Sequence, residues 1–287
     1  MWLLLSLFTA SFESFKNVVA KTGTSKFNPL IVTWAWLTFS LPIFLPVLLI
    51  VGIPPLDRVF WIAFSIRIVL DMAALILYMN SLKLAPLSLS QPMLAFSPII
   101  ILISSYFING ELPSSTGIGA IILILLGSYL LNFDRQSKNL WSPFKALTQN
   151  RGALMMFGVA VIWGINSSIH KLAINHSNPW FYGGFGALAL AILFTPLAYF
   201  SSPKQFMSIF TKAGLKTLVP IGLLDGMAIL PQWVAFSMTY AAYVIAVKRL
   251  SILFSSILGW YIFKENIKNR LLPILLMVVG VLILALS

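Results

Sequence analysis

The sequence predicts an all-α integral membrane protein of ten transmembrane helices, arranged as a 5+5 inverted repeat. Three observations carry that prediction: a composition that only lipid can solvate, ten apolar runs of spanning length, and an internal likeness between the two halves.

Composition comes first. Of 287 residues, 59% are hydrophobic and 9% are charged, against about 45–50% and about 25% in soluble domains. A soluble core of this length could not hide so much apolar surface, so the solvent is lipid. The net charge of +12 raises nucleic acid as a partner. The basic residues sit in short loops between apolar runs rather than in a soluble patch, so none is expected. With no cysteine and two histidines, no disulfide, no metal site and no other cofactor is expected. Met1 to Leu5 carry no Lys or Arg, so the start reads as a first span rather than a signal peptide.

A spanning helix needs about 20 mostly apolar residues. The runs 2–21, 29–51, 59–82, 86–108, 114–132, 152–174, 179–200, 216–238, 241–263 and 270–286 qualify. They are too long and too uniformly apolar for barrel strands, which alternate over about 10 residues. Helices satisfy every backbone group internally, as lipid demands. A second polar loop, 201–215, is expected to lie as a short surface helix.

The longest polar stretch divides the chain into a first repeat (1–132), a cytoplasmic linker (133–151) and a second repeat (152–287). Glu111, followed by Gly127, corresponds to Glu265, followed by Gly280, at an offset of about 154. Phe8 and Lys16 correspond to Trp163 and Lys171 at a similar offset. Five helices is an odd number, so the second copy enters the membrane in the opposite sense. Thirteen Lys and Arg, among them Lys21, Lys83, Arg151 and Lys212, fall in or beside the odd-numbered loops, and Arg58 alone falls opposite. The positive-inside rule then puts both termini outside a bacterial inner membrane crossed many times.

A charge at mid-bilayer costs about 2.5–3.5 kcal/mol on insertion scales, so such residues are paired or functional. Here they are Glu13, Lys16, Arg67, Asp71, His170, Lys171, Asp225, Lys248 and Arg249. Arg67 and Asp71, four apart on one helical face, read as a structural ion pair. Glu13 and Lys16, three apart, admit the same reading; alternatively Glu13, or Asp225, is a proton-coupling carboxylate. Lys248 and Arg249 point about 100° apart, so one acid cannot neutralise both. Either Asp225 pairs with them, or at least one cation faces a central cavity and grips an anion. The remaining substrate-contacting candidates are Trp163, Asn166, Gln91 and Trp233. Pro86, Pro92 and Pro98 recur every six residues in the fourth span, and Gln91 and Ser97 each precede one; such breaks mark sites or hinges in transporters. His170 reads as interfacial, near the outer end of the sixth span. No catalytic residue is expected: there is no His-Glu-x-x-His, no Gly-x-Ser-x-Gly and no Walker-type Gly-x-x-x-x-Gly-Lys.

Several motifs carry a family resemblance. They are Trp163-Gly-Ile-Asn-Ser-Ser168; Tyr243 to Ser251, running on through Gly259-Trp-Tyr-Ile-Phe-Lys-Glu265; and Pro86 to Pro92, running on through Phe107-Ile-Asn-Gly-Glu111 to Gly127-Ser-Tyr-Leu-Leu131. On these the chain resembles the EamA family of the drug/metabolite transporter superfamily along nearly its whole length. Glu13 with Lys21 is similar to the small multidrug-resistance branch, where a membrane Glu binds protons and substrate in turn. Lys248-Arg249 is similar to the pair that binds phosphate in plastid triose-phosphate translocators. The resemblance implies a secondary carrier, monomeric or homodimeric and surrounded by lipid. The motifs say little of the substrate; five basic residues against three acids within the spans point to a small anionic or zwitterionic metabolite, such as an amino acid or a phosphorylated or carboxylated compound. The alternatives are a multidrug or cation exporter using Glu13, a channel, or an embedded enzyme.

Overall fold

The computed structural model describes residues 1–85, 90–131, 149–254 and 271–286, without the side chains of Gln91, Pro92, Leu131 and Leu271. Pro86, Glu265, most of the 133–151 linker and the Gly259–Glu265 motif lie outside these residues.

Six helices have the length and apolarity to cross a membrane: α1 (Trp2–Lys26), α2 (Pro29–Val51), α3 (Arg58–Leu84), α6 (Arg151–Asn175), α7 (Pro179–Ser201) and α9 (Lys212–Phe236). Between and after them lie α4 (Ser97–Asn109), α5 (Ser115–Leu131), the short α8 (Pro203–Ser208), α10 (Ala241–Lys248) and α11 (Leu271–Leu286). Local chemistry starts and stops them. Asn28 accepts from the Leu30 amide at 2.9 Å and Asn178 from the Phe181 amide at 2.7 Å, each with a proline next, so both repeats open their second helix the same way. Gly110 ends α4 at φ 66°, which a β-carbon disfavours, and the turn sends Glu111 back toward the bundle.

The structure corrects the sequence reading at the fourth and ninth spans. Neither is the continuous helix expected over 86–108 and 241–263. Residues Gln91–Phe96 form a 3₁₀ turn, and α-helix begins only at Ser97. Pro98 has no N–H to donate to the Leu94 carbonyl, which accepts instead from the Ser97 hydroxyl at 2.9 Å. In the ninth span α10 stops at Lys248, a turn falls at Arg249, and helical residues resume over 250–254. The Arg249 amide is shared between the Ile245 and Ala246 carbonyls, at 3.2 and 3.1 Å.

Helices of one repeat pack on those of the other in a pattern that survives exchange of the repeats. α1 lies against α9, and its counterpart α6 against α3; α2 meets α7, α5 meets α11, and α4 meets α10. The α5–α11 crossing relies on two corresponding glycines. A β-carbon on Gly127 would sit 2.6 Å from the Pro273 carbonyl oxygen, and one on Gly280 would sit 2.8 Å from that of Ala120. The exchange fails at one place. α2 and α9 pack along their length, with Gly222 on the Phe39 backbone and Gly226 on Ile43, whereas α3 and α7 touch at few points. Large apolar side chains such as Phe107 and Phe200 project outward, as a lipid-facing surface requires.

Gly127→Val or Gly280→Val should lower thermal stability in detergent by about 1–3 kcal/mol, the range for overpacking, in a fluorescence-detected melt. Asp57, outside the spans, accepts from the Phe60 amide at the start of α3 and from His176, which together hold its carboxyl below the ordinary 3.8. Its contribution to stability is therefore present above that pH and is lost as pH falls through the depressed value. Asp57→Asn, which keeps the cap, should flatten part of the acid-side fall in melting temperature.

Candidate functional site

The site grows from charges that the packing carries inward. Lys16, on the face of α1 that meets α9, is 1% exposed. Its ammonium lies 2.6 Å from Glu13 and 3.1 Å from Asp225, and 4.2 Å from the Trp36 ring centre on α2. One buried cation thus serves two carboxylates from two repeats. Glu13 also faces Lys248 at 3.6 Å.

A second cluster forms where α3 meets α6. Arg67 pairs with Asp71 at 3.1 Å, and Asp71 accepts from Asn166 at 2.8 Å and faces the His170 imidazole at 3.5 Å. The Arg67 guanidinium lies 5.0 Å from the Phe64 and Tyr182 ring centres. It fits because Gly186 on α7 carries no side chain; a β-carbon there would run into it. His170 Nδ1 also meets the Tyr182 hydroxyl.

The two broken helices meet at the third point. Arg249 donates from Nη2 to Ser97 Oγ at 2.5 Å, while its Nε is buried with no hydrogen-bond partner and no described carboxylate lies within ion-pair reach. Lys248 donates to Gln232 at 2.9 Å.

All three clusters line one cavity of about 130 Å³ between the repeats, room for several waters or a small solute. Its described lining carries four cations (Lys16, Arg67, Lys248, Arg249) and three carboxylates (Glu13, Asp71, Asp225), one positive charge in excess with His170 neutral. Apolar wall comes from Trp36, Phe44, Trp163 and Trp233.

Most of the residues singled out in sequence lie on this cavity: Lys248, Arg249, Trp163, Trp233, Glu13, Asp225, Arg67 and Asp71. Asn166 does not; it stands behind the wall, and its amide donates to Asp71 and to the Arg67 carbonyl. The Gln91 side chain lies outside the described residues. Asp225 is not the partner of Lys248 or Arg249, because Lys16 occupies it. His170 is not interfacial: it is buried and lines the cavity. Four residues after Asn166, it shares the face turned to α3, and that spacing was the available signal. Lys171 leaves the cavity, bonding Glu111 and the Thr239 carbonyl. Tyr182 gave no signal in sequence beyond a hydroxyl inside an apolar helix.

The family model for EamA-like transporters matches residues 1–133 and 150–286. No curated protein matches the chain in sequence. One solved structure, known only as a crystal structure of a protein, superposes with a TM-score of 0.71 over 99% of this chain and 96% of its own, at 17% identity. That likeness speaks for the fold.

Removing Lys16 would leave Asp225 buried without its cation and Glu13 with Lys248 alone. Lys16→Met should destabilise the protein by about 3–5 kcal/mol, the range for breaking a buried pair. Adding Glu13→Gln and Asp225→Asn should restore most of the loss in the same thermal melt.

Proposed function

The chain belongs to the EamA-like transporter family, a membrane transporter family, and on that premise we propose that it is a secondary carrier for a small anionic or zwitterionic metabolite, seated in a bacterial inner membrane. The observation that carries this reading is Arg249, buried at a helix break on the cavity with a free N–H and no described carboxylate within ion-pair distance. A guanidinium so placed can accept a carboxylate or phosphate, with Lys248 as a neighbouring point charge. The walls support the class: three tryptophans and a phenylalanine pack the solute's body while its charged end meets the arginine.

Movement follows from the broken symmetry. The seam between α2 and α9 is closed, and its counterpart between α3 and α7 is loosely made. Exchanging these two packings would present the same cavity to the other side, which is alternating access. A cation exporter built on Glu13 finds less support, because two ammonium groups already face that carboxylate.

The test is counterflow in liposomes with radiolabelled phosphate, succinate and glutamate. A carrier accelerates uptake of at least one probe when the lumen is preloaded with the unlabelled form; a channel does not. Arg249→Gln should slow that exchange at least about tenfold, the equivalent of 1.4 kcal/mol, with insertion intact by size-exclusion chromatography. Normal exchange in the variant would remove Arg249 from the anion site.

A further inference from the structure

Asp71 on α3 and Asp225 on α9 occupy corresponding helices of the two repeats at an offset of 154. Each reaches across to the first helix of the opposite repeat. Asp225 meets Lys16 on α1; Asp71 meets Asn166 and His170 on α6. The cross-repeat contact is the same and the chemistry differs. A lysine keeps its charge over the physiological range, whereas a histidine changes its own between about pH 5 and 8.

His170 is built to exchange a proton with the cavity. It lines that cavity, with Nε2 3.5 Å from Asp71 Oδ1, Nδ1 on the Tyr182 hydroxyl, and its ring 4.7 Å from the Trp233 ring. The charged and titratable groups around it are Asp71 and Arg67 from α3, Tyr182 from α7 and Lys248 from α10; α9 presents Trp233, and its own helix presents the uncharged Asn166.

We propose that His170, held between Asp71 and Tyr182, is a proton-binding site of this carrier and that its proton is the coupling ion. The coupling half rests on the carrier reading above; the proton site itself does not. In the neutral imidazole, Nε2–H donates to Asp71 and Nδ1 accepts from the Tyr182 hydroxyl, the tautomer these partners select. A proton arriving from cavity water adds a hydrogen at Nδ1. Tyr182 must then turn its own hydrogen away and accept. Tyr182 belongs to α7, so the proton rewrites a polar bond close to the loosely made α3–α7 seam. It also raises the cavity's positive excess from one to two. A proton therefore favours a bound anion and, by linkage, the anion favours the proton. Release returns the proton to water on the other side.

Because the chain has two histidines, His176→Gln leaves His170 as a single reporter. The full chain, labelled with ¹³C-histidine in lipid nanodiscs, is titrated by NMR. The His170 resonance should titrate within the pH range over which the protein stays folded. Asp71→Asn should move the midpoint to lower pH by about one unit or more, since an adjacent carboxylate favours the imidazolium. Tyr182→Phe, which removes only a hydroxyl, should also move it. No titration in that range, or one midpoint shared by all three proteins, overturns the proton site. In liposomes, exchange of whichever probe is carried should change with pH in the wild type and be flat in His170→Gln. An equal pH slope in both overturns the coupling, while absence of exchange in the wild type strikes the carrier reading and leaves the NMR result to decide the proton site.

Discussion

An ionised group in oil needs a partner of opposite charge, and in this bundle several of those partners come from the opposite repeat. Lys16 is the point on which this turns. From α1 it reaches Glu13 on its own helix and Asp225 on α9, and its ammonium packs against Trp36 on α2. Three helices from both repeats are thereby held in one register. Apolar residues of equal volume would fill the space as stably. What they could not do is keep a polar hollow open at the centre, where Arg249 and Lys248 find a place among dipoles and charges.

The two repeats share a plan and depart from it where function is expected. Corresponding helices make corresponding cross-repeat contacts, down to the glycine pair at the α5–α11 crossing. The departure is the contrast between two seams. Gly222 and Gly226 let α9 close on α2, while the space that Gly186 leaves on α7 is filled by the Arg67 guanidinium. A seam filled by a charged, partly paired side chain can be remade at less expense than one closed by backbone on backbone. The helix breaks follow the same logic. Ser97 satisfies the carbonyl freed by Pro98 and receives Arg249 from the other break, so two interruptions of regular backbone become one polar junction facing the cavity.

Much of the fold and part of the site were legible in sequence. The apolar runs marked the long helices because lipid admits no other solution for their backbones. Asn28-Pro29, Asn178-Pro179 and Gly110 act locally, through caps and a positive φ, by signals that the sequence reading did not use. Lys248-Arg249 stood out because adjacent cations cannot share one acid. Other features were not legible. Nothing in the chain said that Lys16 rather than Lys248 would take Asp225, since a residue pairs with whatever packing brings near. Asn166 lay in a family motif, yet its amide is spent on Asp71. His170 looked terminal by its count along the helix, but α6 enters so that this turn faces the centre. The stop of α10 at Lys248 had no proline or glycine to announce it.

The sequence by itself determined that this chain lives in a membrane, that it is helical, that it is a doubled unit, and that its spans carry more basic than acidic groups. Those follow from composition and periodicity, because solvation by lipid acts on each segment separately. Only the tertiary structure decided which charges neutralise one another, which remain available to a solute, and that a histidine stands on one side where a lysine stands on the other. Those depend on distances of a few ångströms between residues far apart in the chain, and Coulomb and hydrogen-bond energies at such distances are set by helix packing, which no single segment encodes.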